Sequence, residues 1–167
     1  MSNRPRSVLD GFLRTVRRQP DDVAIRDLEG FDVPRPQRLT WTEYRAQVAQ
    51  VAGGLASMGV EPGDRVVLMM PNRVEFHIAD LAVVALGATP ISIYNSSSPE
   101  QIAYLVGHSK ASAAIVADGS YVERILAAAG ECPGLRLVVV VGDAPQGTVG
   151  WAELLNAAPI DLDSREY

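Results

Sequence analysis

Residues 65–94, RVVLMMPNRVEFHIADLAVVALGATPISIY, decide the fold. Arg65–Met70 is a short apolar run after the turn EPGD (61–64), too short for a helix and without alternation, so it reads as a strand buried on both faces. Pro71 and Asn72 interrupt it. From about residue 73 to 86 the chain reads as a helix whose later part, IADLAVVAL, is apolar on nearly every side. Gly87 is placed to end that helix, and ATPISIY (88–94) supplies the next strand. Strand, helix and strand in this order predict a parallel pair joined by a crossover.

The same alternation continues on both sides. Downstream, residues 98 to about 107 read as a helix, SAAIVA (112–117) as a strand, GSYVERILAAAG (119–130) as a helix and LRLVVVVG (135–142) as a strand. WAELLN (151–156) reads as a short helix before an acidic tail. Upstream, Thr40 and Glu43 have capping-box spacing. Tyr44, Val48, Val51, Leu55 and Met58 then recur at helical intervals up to Gly59. Gly53 and Gly54 are costly inside a helix and so predict close packing against a neighbour. In residues 7–18 Val8, Leu9, Phe12, Leu13 and Val16 form one apolar side; VAIRD (23–27) is a strand candidate, and EGFDVPRPQR (29–38) a loop or hairpin tip. The fold class expected is α/β: a doubly wound, mostly parallel sheet with helices on both faces. The expected organisation is an N-terminal helix, strand and loop (1–38), an α/β subdomain (39–150) and a short helix with acidic tail (151–167).

Length and composition narrow the function. The 167 residues suffice for one domain, and 47% apolar with 21% charged residues is ordinary for a globular protein. A net charge of −5 argues against nucleic acid as a partner. Residues 1–38 carry a net +2 and the remainder −7, so the basic start can meet an anionic membrane surface or simply face water. One cysteine, Cys132, suits a reducing compartment. Residues 1–20 have no secretory h-region, and Ile78–Tyr94 is interrupted by Asp80 and Pro90, so the expected location is cytoplasmic, with peripheral membrane contact as an option.

In a sheet of this kind ligands bind beyond the carboxyl ends of the strands. MPNRVE after the first central strand has no G-x-G-x-x-G for a dinucleotide and no strand-end carboxylates for a receiver domain. The single lysine, Lys110, precedes a strand and lacks a P-loop, so it reads as a surface residue. His77, with only Asp80 at i+3, and His108 lack metal-ligand spacing and read as structural. Cys132 has no nearby histidine, and no G-x-S-x-G occurs. YNSSSPEQ is left. Asn95, Ser96, Ser97 and Ser98 can face a phosphate at a helix N-terminus. Equally, Ser98 as N-cap, Pro99 at N1 and Gln101 at N3 form a capping box, and this is the favoured reading.

The segments LTWTEY (39–44), GVEPGDRVVLMMPNRVEF (59–76) and LGATPISIYNSSSPEQIAYLV (86–106) resemble, in order and spacing, the N-terminal region of the adenylate-forming superfamily. That superfamily includes acyl-CoA synthetases, peptide-synthetase adenylation domains and luciferases. The resemblance spans about residues 7–143, and IYNSSSPEQI is most similar to long-chain fatty-acyl-CoA synthetases. It implies a parent enzyme that converts ATP and a fatty acid to acyl-adenylate and then, with coenzyme A, to acyl-CoA, assisted by Mg2+. The family's phosphate loop, adenine-site motif, ribose aspartate and catalytic lysine have no matching positions here. No catalytic, cofactor-binding or metal residue is therefore carried over, and the chain alone is expected to bind no cofactor and to be inactive. Homodimerisation through exposed apolar surface is a further expectation. The alternatives are a stand-alone flavodoxin-like module with phosphate at Asn95–Ser98 and a structural oligomerisation domain.

Overall fold

The computed structural model describes residues 7–27 and 38–164. Its elements follow in chain order: α1 (Val8–Arg18), β1 (Val23–Arg26), β2 (Arg38–Thr40), α2 (Trp41–Ser57), β3 (Arg65–Met69), α3 (Val74–Ala85), β4 (Thr89–Ser92), α4 (Pro99–Ser109), β5 (Ala113–Ala117), α5 (Ser120–Ala129), β6 (Leu137–Val141), β7 (Val149–Gly150) and α6 (Trp151–Leu155). Five strands form a parallel sheet in the order β4-β3-β5-β6-β7. β1 and β2 form a separate antiparallel pair. The expected loop or hairpin tip at 29–38 lies outside the described residues except for Arg38, which opens β2 instead.

The sheet is covered on both faces, as the unbroken apolar strands require. Alternation within β3 sends Val66 and Leu68 to one face and Val67 and Met69 to the other. The first face packs against α1, α2, α3 and α6; the second against α4 and α5. α3 therefore leaves β3 on one side and α5 leaves β5 on the other. β3 and β5 are adjacent, so the order reverses between their carboxyl ends.

The glycine pair of α2 packs as its sequence predicts. A Cβ on Gly53 would lie 2.0 Å from the Ala158 carbonyl oxygen, and one on Gly54 would lie 2.7 Å from Leu154. The chain after α6 crosses α2 at this point. Ile160 N–H donates to Ala49 O (3.1 Å), Leu162 is fully buried, and Asp163 accepts from Arg17 of α1 (2.5 Å) and Arg45 of α2 (2.6 Å). One carboxylate thus ties the two helices together.

Some local expectations change. Val8 is 70% exposed, leaving Leu9, Phe12, Leu13 and Val16 as the buried stripe of α1. That stripe is spent in the core. α4 runs two residues past the expected Gly107 and ends at Lys110, whose φ of 53° turns the chain in the left-handed region. Two short strands carry no signature in the sequence. One is β2. The other is β7, which pairs only with Val139 and Val140, near the carboxyl end of β6, so the loop 142–148 can connect two parallel strands without a helix. Among the described residues no helix is long and apolar enough to cross a membrane.

Candidate functional site

Four loops gather at the carboxyl ends of the strands: 70–73 after β3, 93–98 after β4, 118–119 after β5 and 142–148 after β6. The loop after β3 turns through exposed Pro71 and Asn72 into α3. Arg73 is the N-cap but makes no side-chain cap. Its guanidinium instead grips Glu75 with two bonds, Nε to Oε2 at 2.7 Å and Nη2 to Oε1 at 3.2 Å. Glu75 is only 8% exposed, and a carboxylate that deep is retained when it is paired. Negative charge in the first turn also suits the helix dipole.

The serine loop after β4 is closed by its own atoms. Ser98 Oγ accepts from Gln101 N–H (3.3 Å), and Ser98 N–H donates to Gln101 Oε1 (2.9 Å), completing the capping box. Ser98 Oγ also donates to Glu100 Oε2 at 2.7 Å, and this bond holds the Glu100 carboxyl below its ordinary range. A carboxylate thus occupies the hydrogen-bonding capacity that a phosphate would use. Arg124, reaching from α5, donates through Nη1 to Asn95 O (2.9 Å) and Ser97 O (3.2 Å). Its Nε donates to Ser120 O, and its guanidinium lies 5.2 Å from the Tyr121 ring centroid. The loop shows carbonyl oxygens, not amides, to the nearest cation. This is the capping geometry that the sequence predicts for Ser98 and Gln101.

The loops after β5 and β6 hold each other. Asp118 Oδ2 accepts from Asp143 N–H at 3.4 Å, and a Cβ on Gly142, whose φ is 120°, would lie 2.3 Å from that oxygen. The carboxylate at the end of β5 is therefore engaged by the neighbouring backbone.

The other sequence candidates remain scattered. His77 and Asp80 sit on α3, one turn apart and without a hydrogen bond between them among the described contacts. Burial lifts the Asp80 carboxyl above its usual value, and His77 partly offsets this. Tyr44 donates its hydroxyl to His77 O (2.9 Å), and burial followed by the Asp80 charge pushes its phenol up. His108 is exposed on α4, across the sheet from α3, stacked on Tyr104 with centroids 5.3 Å apart. Cys132 is buried with its thiol 3.5 Å from Ala103 O. Lys110 is an exposed helix end. Among the described residues no group of three His, Cys, Asp or Glu side chains can hold a metal. Sequence reasoning missed the Arg73–Glu75 pair, which R-x-E at a helix start could have suggested, and Arg124, whose partners are 27 and 29 residues away.

The family profile described as AMP-binding enzyme matches residues 12–163. The chain belongs to the AMP-binding enzyme family. It is 38% identical over 144 residues to the uncharacterized protein Rv1549 of Mycobacterium tuberculosis, covering 86% of this chain and 78% of that one. It is 35% identical over 108 residues to the long-chain-fatty-acid–CoA ligase FadD15 of Mycobacterium bovis, covering 64% of this chain and 18% of the ligase. The apo structure of Mycobacterium smegmatis MbtA superimposes with a TM-score of 0.83 at 30% identity, covering 98% of this chain and 29% of MbtA. This chain therefore spans less than a third of MbtA and of the named ligase. AMP-binding relatives at 32 to 36% identity are named as a salicyl-AMP ligase, a benzoate–CoA ligase and triostin synthetase I, so membership of the family does not select the acid.

Proposed function

We propose that these residues form the N-terminal sheet layer of an ATP-dependent acid–thiol ligase. In the first step a substrate carboxylate attacks the α-phosphorus of ATP, giving acyl-adenylate and pyrophosphate. In the second the thiol of coenzyme A attacks the acyl carbon, forming the thioester and releasing AMP. Mg2+, when bound, would spread charge over the phosphates. The observation that carries the reading is the family match across residues 12–163, joined to the sheet order β4-β3-β5-β6-β7.

In this reading the chain supplies architecture, not reacting groups. Three polar side chains near the strand ends serve the fold itself: Glu75 is held by Arg73, Asp118 by Asp143 N–H, and Arg124 of α5 holds the serine loop. The carboxyl ends of β3 and β5 form one wall of a crevice, and the residues that handle ATP belong to the rest of the ligase. The acid we infer is a long-chain fatty acid, on the resemblance of IYNSSSPEQI and the identity with FadD15. An aryl acid is the second reading, favoured by the longer match, 142 residues, to the salicyl-AMP ligase. We place the enzyme in the cytoplasm, consistent with one buried free thiol.

A chimera tests this. Residues 7–164 replace the matching segment of a long-chain fatty-acid–CoA ligase, and thioester formation is measured with palmitate and with salicylate. Activity retained, with palmitate preferred, is the expected result. Activity with salicylate preferred would move the assignment to the aryl reading. A folded chimera inactive with both acids would count against the ligase assignment.

A further inference from the structure

The α4/α5 layer carries features that the ligase reading does not use. Glu100, Tyr104 and His108 follow one another at intervals of four residues on α4, so they form a stripe along one side of the helix. All three are exposed; Tyr104 is 65% exposed, unusual for a large aromatic residue, and it stacks on His108. Beside the stripe an open groove of about 590 Å3 runs between α4 and α5. Its lining includes the small residues Ala103, Gly107 and Ala128, together with Glu131. Small residues there let another backbone come close.

The polar groups along this stripe are arranged so that the stripe is complementary to itself, with a carboxylate acceptor at Glu100 and an imidazole N–H donor at His108. Tyr104 lies midway between Glu100 and His108, with about 6 Å of helix rise on either side. When a second α4 is laid antiparallel across a two-fold axis through Tyr104, Glu100 of each copy faces His108 of the other. The two tyrosines meet at the axis. Gly107, which has no side chain, then lies opposite Gln101 of the other copy. A closed two-fold pairing of this kind uses the same patch on both copies, so it stops at a dimer.

We propose that the α4/α5 face is a self-association surface, on which a second copy of this chain packs α4 antiparallel to α4 with Tyr104 at the centre. Tyrosine in the middle of a contact, flanked by small residues and donor–acceptor pairs, has the character of an interface anchor. The proposal stands apart from the ligase assignment, since it concerns the outer side of the helices and not the strand ends.

Sedimentation velocity over a range of protein concentration tests it. The unmodified chain is expected to pass from monomer to dimer. Tyr104→Glu is expected to weaken the dimer at least tenfold, with a thermal midpoint unchanged at dilutions where the parent is monomeric, because the residue is on the surface. His108→Glu, which sets a second carboxylate against Glu100 of the other copy, is expected to weaken it too, and Glu100→Lys combined with His108→Glu to restore it. Tyr104→Cys is expected to form a disulfide-linked dimer on oxidation, whereas Val8→Cys, at a 70% exposed position on α1, forms none. A monomer at every concentration would overturn the proposal, and so would a dimer that Tyr104→Glu leaves intact or a charge swap without rescue.

Discussion

On one face of the sheet, α2 lies so close to the chain following α6 that Gly53 has no room for a methyl group. On the other, α4 and α5 part to leave an open groove of about 590 Å3. Both faces bury the same strands, yet they are completed differently. The first brings together α1, α2, α3 and α6 and binds them with Asp163. The second has two amphipathic helices, whose buried residues Ile102, Val106, Val122 and Ile125 face the sheet and whose outer sides remain open. Burial of the strands needs only one apolar side from each covering helix. Packing beyond that is additional specification, and here it is concentrated on one face.

Matched glycine substitutions sharpen the contrast most. Gly53→Ala forces a Cβ to within 2.0 Å of Ala158 O, so it is expected to cost about 3 kcal/mol or more in a urea titration, chiefly by displacing residues 158–163 from α2. Gly107→Ala places its Cβ in ordinary contact, 3.6 Å from Cys132 Sγ, and replaces the poorest non-proline helix former with the best. It is expected to stabilise by about 1 kcal/mol. Equal costs at the two positions would erase the distinction between the faces.

Ser98→Ala removes the cap of α4, and a loss of about 1 kcal/mol is expected in the same titration. No change would mean that the Arg124 bonds alone hold the loop. The smallest effect is at Asp163, where hydrogen bonds from Arg17 and then Arg45 keep the carboxyl below its ordinary value. A depressed carboxyl stabilises the fold above its unfolded pKa and loses that contribution as pH falls through the folded one. Stability measured from about pH 5 downward is therefore expected to fall less steeply in Asp163→Asn than in the parent. Identical acid limbs would show that this exposed clasp contributes nothing.

How much of this is legible in the sequence depends on the distance over which each feature is specified. VVLMM and LVVVV announce strands because burial on both faces demands uninterrupted apolar runs. Ser98 and Gln101 announce a cap because their partners lie within one turn. Gly53 and Gly54 announce a close approach without naming Ala158 or Leu154, which lie about a hundred residues away. β7 is invisible, since two residues carry no periodicity. Arg124 is invisible because nothing near it in sequence marks it as the partner of Asn95 and Ser97. At the strand ends the Arg73–Glu75 pair spans two residues and is legible as R-x-E at a helix start, whereas the Asp118–Asp143 contact spans 25 residues and is not.

The central claim, that the chain is one wall of an adenylate-forming site and not the site itself, meets its most direct test in ATP–pyrophosphate exchange. The purified 167-residue chain is incubated with Mg2+, ATP, labelled pyrophosphate and palmitate or salicylate. Label in ATP no higher than in a protein-free control is the predicted result. Acid-dependent incorporation of label into ATP by the chain alone would contradict the account.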